Sequence, residues 1–344
     1  MQKKIEAKMP LLDELGNISE PGWATEQNWI YRRNDIRANK LRIKEWDYYL
    51  VYNKDFGVAL TVADNGYMGM ISASVINFKT RKEVTKSIMT FMPKGKFKMP
   101  ETSEKGDVIF KNDKVEMRFL NDGKIRKLRF NFNNFERNHA LKGEITLTNE
   151  PKESMVIATP FKKDKHFYYN QKIVGFVADG SIEIGNKKVE FLPKETRAIL
   201  DWGRGVWTYK NTWYWGAAAG KVNGVEFGFN IGYGFGDTTM ATENVVFYDG
   251  IAHKLNNVEF KIPTNIDTNK EDYMSKWQFT SDDGRFEMDF EPIINRSSCA
   301  SAVVVKSDQN QVFGKFTGKV VLDDDTVIEI KDFLGFAEKV KNKW

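Results

Sequence analysis

The sequence predicts an all-β protein with little helix, built from two tandem antiparallel β-barrels, and three observations carry that prediction. The first is an internal echo. Trp46 to Gly69 (WDYYLVYNKDFGVALTVADNGYMG) aligns without a gap over Trp213 to Gly236 (WYWGAAAGKVNGVEFGFNIGYGFG), setting Trp46 on Trp213, Tyr48 on Trp215, Gly57 on Gly224 and Gly69 on Gly236. Further echoes follow in the same order: Phe97 to Pro100 with Phe260 to Pro263, Val115 to Phe119 with Phe286 to Phe290, and Gly143 to Leu147 with Gly318 to Leu322. A period of roughly 170 residues is longer than solenoid or propeller repeats and has the size of a domain. The second observation is alternation. Runs such as Leu128 to Phe132, Phe286 to Phe290 and Val327 to Ile330 alternate apolar and polar residues, the mark of half-buried strands. The third is composition: 13% aromatic residues suit strands and apolar pockets better than helices.

Taken in chain order, residues 1–25 read as an arm ending at Pro21-Gly22, residues 26–198 as a first barrel and residues 199–344 as a second. Turn signals punctuate both halves at Asp64-Asn-Gly66, Asn121-Asp-Gly123, Asp179-Gly180, Asn223-Gly224, Asp249-Gly250 and Asp282-Asp-Gly284. Asn-Gly and Asp-Gly supply the positive φ that tight hairpins need. Hairpin-linked strands of this kind curl or close into barrels, which remove exposed edges and leave room for one small ligand. A sandwich is the competing architecture. Helix is expected only near Glu136 to Ala140 and from Phe333 to Lys343.

Candidate functional residues crowd around the junction of the halves. In His166-Phe-Tyr-Tyr-Asn-Gln-Lys172, a strand would put His166, Tyr168 and Asn170 on one face and Tyr169 and Gln171 on the other. His166 is a candidate acid or base, or a structural residue. The segment Ile199 to Tyr209, followed by Trp213-Tyr-Trp215, holds four of the nine tryptophans (Trp202, Trp207, Trp213, Trp215) beside Asp201 and Arg204. Three roles are open for it: an Asp201–Arg204 ion pair pinning the crossing, a binding pocket, or catalysis by Asp201. Indoles around a carboxylate would desolvate it and favour the proton-donating form, whereas Arg204 would oppose that.

The glycine-rich tract from Gly220 to Gly236, which carries Asn230, is not a dinucleotide fingerprint. Asp237 stands at the sixth position of its G-x-G-x-x motif and no amphipathic helix follows. Alternate glycines in a strand mark close backbone approach. Asp237, Glu243 and Asn244 then offer polar groups that would orient a ligand or cap the rim.

The bulk numbers exclude several classes. Net charge is +5 over 344 residues with the two signs interspersed, which is no nucleic-acid footprint. Cys299 is the single cysteine, so no intramolecular disulfide forms, and it reads as a small core residue. His139, His166 and His253 stand in unrelated contexts without metal-ligand spacing. No metal or other cofactor is expected. No apolar h-region opens the chain and no long apolar run crosses a membrane, so a cytoplasmic protein is the expectation.

The stretches HFYYNQK, DWGRGVWTYKNTWYWG, GFNIGYGFGDTTMATENVVFYDGIAHKL and GKFTGKVVLDDDTVIEIKDFLGFAE resemble the DUF2804 family. More distantly the layout is similar to the carotenoid 1,2-hydratase and AttH-like proteins, which consist of two lipocalin-like domains. That resemblance implies two tandem lipocalin-like barrels here. It also implies Asp201 as an acid acting on an isoprenoid-like double bond, with Trp202, Trp207 and Tyr168 lining the pocket. The segment departs from the hydratases in carrying Arg204 where they tend to show a histidine. The leading expectation is a binder of a hydrophobic or amphipathic small molecule. The alternatives are an acid-catalysed hydratase, cyclase or isomerase, and a carbohydrate-active protein that would use a pair such as Asp237 and Glu243.

Overall fold

A computed structural model describes residues 2–302 and 305–343; the side chains of 299–302, 305 and 306, and with them that of Cys299, lie outside the description. Two antiparallel sheets, of 13 and 9 strands, form the two halves. In the first, a meander from Ile43–Tyr52 to Lys82–Phe91 and another from Val108–Lys111 to His139–Thr148 are joined by two central strands, Phe167–Ile184 and Arg197–Val206. The second sheet repeats the plan from Lys210–Val222 onward and returns through Val327–Lys343, which pairs with Lys210–Val222. Both sheets curl into half-barrels of lipocalin type. The hydrogen-bonded path of the first ends at Lys82–Phe91 and Val108–Lys111, and Phe97 on the connecting segment packs edge-on against Phe110, 5.1 Å between centroids.

Strand membership changes hands at 207–209: Arg197–Val206 is laddered on both sides within the first sheet, and the second begins at Lys210. The arm is held across both halves. Lys3 N bonds Met240 O, Ile5 N bonds Trp23 O, and the short strand Gly22–Ala24 pairs with Met155–Pro160. No helix is long and apolar enough to cross a membrane.

Trp46 lies on Ile43–Tyr52 and Trp213 on Lys210–Val222, but the gapless echo slips at the next turn. The first hairpin closes at Tyr52 and Gly57 around a loop that the Asn53 side chain caps; the second closes at Val222 and Val225 in a two-residue Asn-Gly turn. Gly57 is therefore a strand residue and Gly224 a turn residue.

Both expected helices are strand instead. Arg126–Glu136 and His139–Thr148 form a hairpin whose tip, Arg137-Asn138, takes the two positive φ values of a type I′ turn. Phe333 to Lys343 belongs to the strand Val327–Lys343, which is buried on both faces from Gly335 to Val340. Two-sided burial erases the period of two, and the remaining apolar run cannot be told from a helix by pattern. Asp179-Gly180 likewise marks no turn; it lies within Phe167–Ile184.

Three apolar clusters result. Phe119, Leu128, Phe132 and Phe176 help fill the first interior. In the second, Phe229, Phe279, Phe290 and Phe316 interlock, with Phe290 and Phe316 at 4.5 Å. Each half thus packs rings of its own in its interior. The third cluster lies at the seam between the halves, where the outer faces of the two sheets meet.

Candidate functional site at the seam

Register builds the first wall of the seam. Asp201 is the cross-strand partner of both Tyr48 and Lys172, and Gly203 of both Trp46 and Asn170. Because a strand alternates faces, Trp46, Tyr48, Tyr168, Asn170, Lys172, Asp201 and Gly203 all present to the seam. Their contacts converge on one carboxylate. Lys172 Nζ lies 2.7 Å and Asn170 Nδ2 2.6 Å from Asp201 Oδ1, while Trp46 Nε1 donates to Oδ2 at 3.1 Å.

Gly203 makes this possible. A Cβ there would sit 1.9 Å from Trp46 Cζ2, so the indole lies flat over bare backbone. Gly203→Ala is expected to displace Trp46 from Asp201 and to cost about 1–3 kcal/mol by overpacking, read in urea unfolding together with a change in tryptophan emission. An unchanged emission spectrum would contradict the placement.

The second half supplies the opposite wall. Trp215 pairs across strands with Glu338, and Glu338 with Gln311. Glu338 accepts from Trp213 Nε1 at 2.9 Å and from Gln311 Nε2 at 3.0 Å. Asn230 accepts from Trp215 Nε1 at 2.7 Å and donates to the Glu243 carbonyl at 2.8 Å. Gly232 clears the space for Glu243, since a Cβ there would meet its Oε1 at 2.6 Å. Lys172 ties the walls together: its Nζ lies 3.9 Å from Glu243 Oε2 and 4.4 Å from the Trp215 ring centroid. Phe235 covers the group, with ring centroids 4.8 Å from Tyr168, 4.8 Å from Trp207 and 5.3 Å from Trp213.

The electrostatics of this cluster are strongly perturbed. Burial pushes the Glu338 carboxyl up to about 7 against the pull of the Trp213 donor. Glu243 is pushed up by burial as well, with Lys172 opposing and Asp201 adding to the rise. Burial and the neighbouring carboxylates raise the Tyr168 hydroxyl far beyond neutral pH. Asp201 and Glu243 nonetheless keep 12% and 10% of their side-chain surface exposed.

Of the residues singled out from sequence, the seam gathers Asp201, Tyr168, Trp207, Trp213, Trp215, Asn230 and Glu243. It does not gather the rest. Trp202 and Arg204 point into the first barrel, because positions 202 and 204 lie on the opposite face from 201. No Asp201–Arg204 pair forms: Arg204 is fully buried, bonds Asp47 Oδ1 at 3.1 Å and the carbonyls of Trp46, Gly203 and Pro100, and stacks on Trp202 at 4.1 Å. His166 precedes the strand Phe167–Ile184 and holds the Asp164 carbonyl through Nδ1. Asp237 is exposed and caps Thr239 N, whereas Glu243 is buried, so the two do not line one open groove. Asn244 is buried but ties backbone, accepting from Gly232 N and donating to Asn256 O.

Sequence reasoning missed Trp46, Gln311, Glu338 and the role of Lys172. Lys172 had a signal, since it continues the alternation of Tyr168 and Asn170; Glu338 was hidden in the run read as helix. Among the described residues, no His, Cys, Asp and Glu side chains are grouped to hold a metal ion.

Fold and seam together define a tandem lipocalin-like protein whose ionisable residues are buried between its two barrels. The chain belongs to the family described as "Domain of unknown function (DUF2804)", which matches residues 2–344. Solved structures share the fold at low identity. CghA, determined with Sch210972, is 10% identical with a TM-score of 0.58, over 97% of this chain and 96% of that one. Kievitone hydratase from Nectria haematococca is 11% identical with a TM-score of 0.52, over 98% of each chain. An AttH-like protein from Nitrosomonas europaea is 11% identical with a TM-score of 0.52, over 90% of this chain and 95% of that one. No curated protein sequence matches the chain. At such identities the likeness carries the fold and no activity.

Proposed function

We propose that the seam binds a small, largely apolar molecule and transfers a proton to it, as an enzyme of the lyase or isomerase type. The observation that supports this most is Glu338. Its carboxyl is buried against Trp213 and Gln311, is pushed up to about 7, and lies close enough to Asp201 and Lys172 to feel both charges. A group with that proton affinity is half-loaded at neutral pH, where an acid works best. Glu338 donates the proton to an unsaturated carbon. The indole and phenol rings around it face the cationic centre that forms, and Asp201 stabilises that centre. Loss of a neighbouring proton completes an isomerisation; capture of water completes a hydration. Both outcomes are redox-neutral.

Kievitone hydratase and CghA, the latter determined with Sch210972, share this fold, and that likeness supports the reading. Protein purified from its own host in deuterium oxide should carry a bound small molecule in native mass spectrometry. That molecule should incorporate solvent deuterium on incubation, and Glu338→Gln should bind it without incorporation. Retention of the molecule with no deuterium uptake by the unaltered protein would reduce the seam to a binding site. Absence of any bound molecule would overturn the reading.

A further inference from the structure

Outside the seam, the segment 161–166 forms one side of an open groove of about 510 Å³, lined by Arg42, Lys163, Asp164, Lys165, His166 and Tyr209 among others. Three permanent cations face one carboxylate there. The basic loop is anchored: Phe161 N bonds His166 O, His166 N bonds Lys163 O, and Lys165 N bonds Asn17 Oδ1 of the arm. His166 is 6% exposed and forms the floor. Burial holds it below its ordinary proton affinity; the Asp164 carbonyl opposes that fall, and the Lys163 and Arg42 charges add to it.

The groove adjoins the seam. Arg42 Nη2 donates to the Trp207 carbonyl at 3.1 Å, and the Trp207 ring packs on Trp46, Trp213 and Phe235. Tyr168, two residues past His166, is the first seam residue of its strand.

We infer that this groove takes the anionic head, a phosphate or carboxylate, of the same molecule whose apolar part lies in the seam. The inference rests on the seam reading for the apolar part and on Arg42, Lys163 and Lys165 for the head. A flat aromatic anion matches both: rings against Trp207, charge in the groove, one chain of contacts between them.

Titration with 2-naphthyl phosphate, 2-naphthoate, 2-naphthol and inorganic phosphate, followed by calorimetry and tryptophan quenching, tests it. Both naphthyl anions are expected to bind about tenfold more tightly than 2-naphthol, a margin that two or three partly screened charges supply. Lys163→Gln combined with Lys165→Gln, both at exposed positions, should erase that margin and leave 2-naphthol unchanged. The inference is overturned if 2-naphthol binds as tightly as the anions, if the margin survives in the double variant, or if none of the four binds at millimolar concentration. If inorganic phosphate binds in a lysine-dependent way and the naphthyl group adds nothing, the groove stands as an anion site and the seam reading fails. If 2-naphthol binds and the anions gain nothing, the seam stands and the anionic head is wrong.

Discussion

Replacing Lys172 with methionine is expected to destabilise the chain by about 3–5 kcal/mol, the range for removing one partner of a buried ion pair. Methionine keeps most of the volume and the contact with Trp215, so packing loss is small. What remains is Asp201 without its closest cation and Glu243 without the lysine that reaches it from the first half. The penalty should therefore be relieved by neutralising the stranded acid. Lys172→Met combined with Asp201→Asn is expected to recover more than half of the loss. Urea unfolding of the two single variants and the double variant gives the coupling directly. A loss below about 1 kcal/mol for Lys172→Met, the range of an exposed pair, would show that the cluster is solvated.

Glu338 should leave a signature in the pH dependence of stability. Its carboxyl is raised from 4.5 to about 7 by burial, so the folded chain holds a proton that the unfolded chain has already released. The sign follows from linkage. Any stability tied to the protonated form is complete below pH 4.5, declines between 4.5 and 7, and is gone above 7, a swing of about 3 kcal/mol. Glu338→Gln cannot ionise and escapes this decline once Gln311 turns its amide to accept from the new one. At pH 8 the variant is therefore expected to be more stable than the unaltered protein, and near pH 4.5 about equal to it. Only the difference between the two proteins is informative, because Glu243 and the buried carboxyls of the first barrel titrate in both. A difference that stays flat from pH 5 to 8 would mean that Glu338 is ordinary.

How much of this was readable without coordinates depended on how many faces of a strand meet solvent. Arg126–Glu136 alternates buried and open positions from Leu128 to Phe132, and Phe286 to Phe290 does the same, so strand and inward face are both evident from the letters. Arg197–Val206 is buried at all ten positions. Its sequence shows that Asp201, Trp202 and Arg204 matter but not which way each points, and for that reason the structure separates residues that had been expected to share a pocket. Glu338 suffered more, since burial on both faces removed even the evidence for a strand. That Asp201, Tyr168 and three of the tryptophans lie near one another was legible, because an aromatic excess near a domain junction is a compositional signal that survives ignorance of direction. The partners of Asp201 could not be found this way. Cross-strand neighbours 29 and 155 residues distant in sequence are set by register, and the sequence carries no local mark of it.

The division of the seam between the halves has a mechanical consequence. Lys172, Asp201, Asn170 and Trp46 come from one sheet; Glu338, Asn230 and Trp215 come from the other, and Glu243 from the segment that leads into its strand Val245–Tyr248. Separating the two would strip acids of their counter-ion and open the Phe235-covered surface to solvent at once, which couples the melting of one half to that of its neighbour. The molecule should accordingly behave as a single cooperative block despite its doubled architecture, and whatever fills the crevice would act as a rivet, raising the temperature at which both halves let go together.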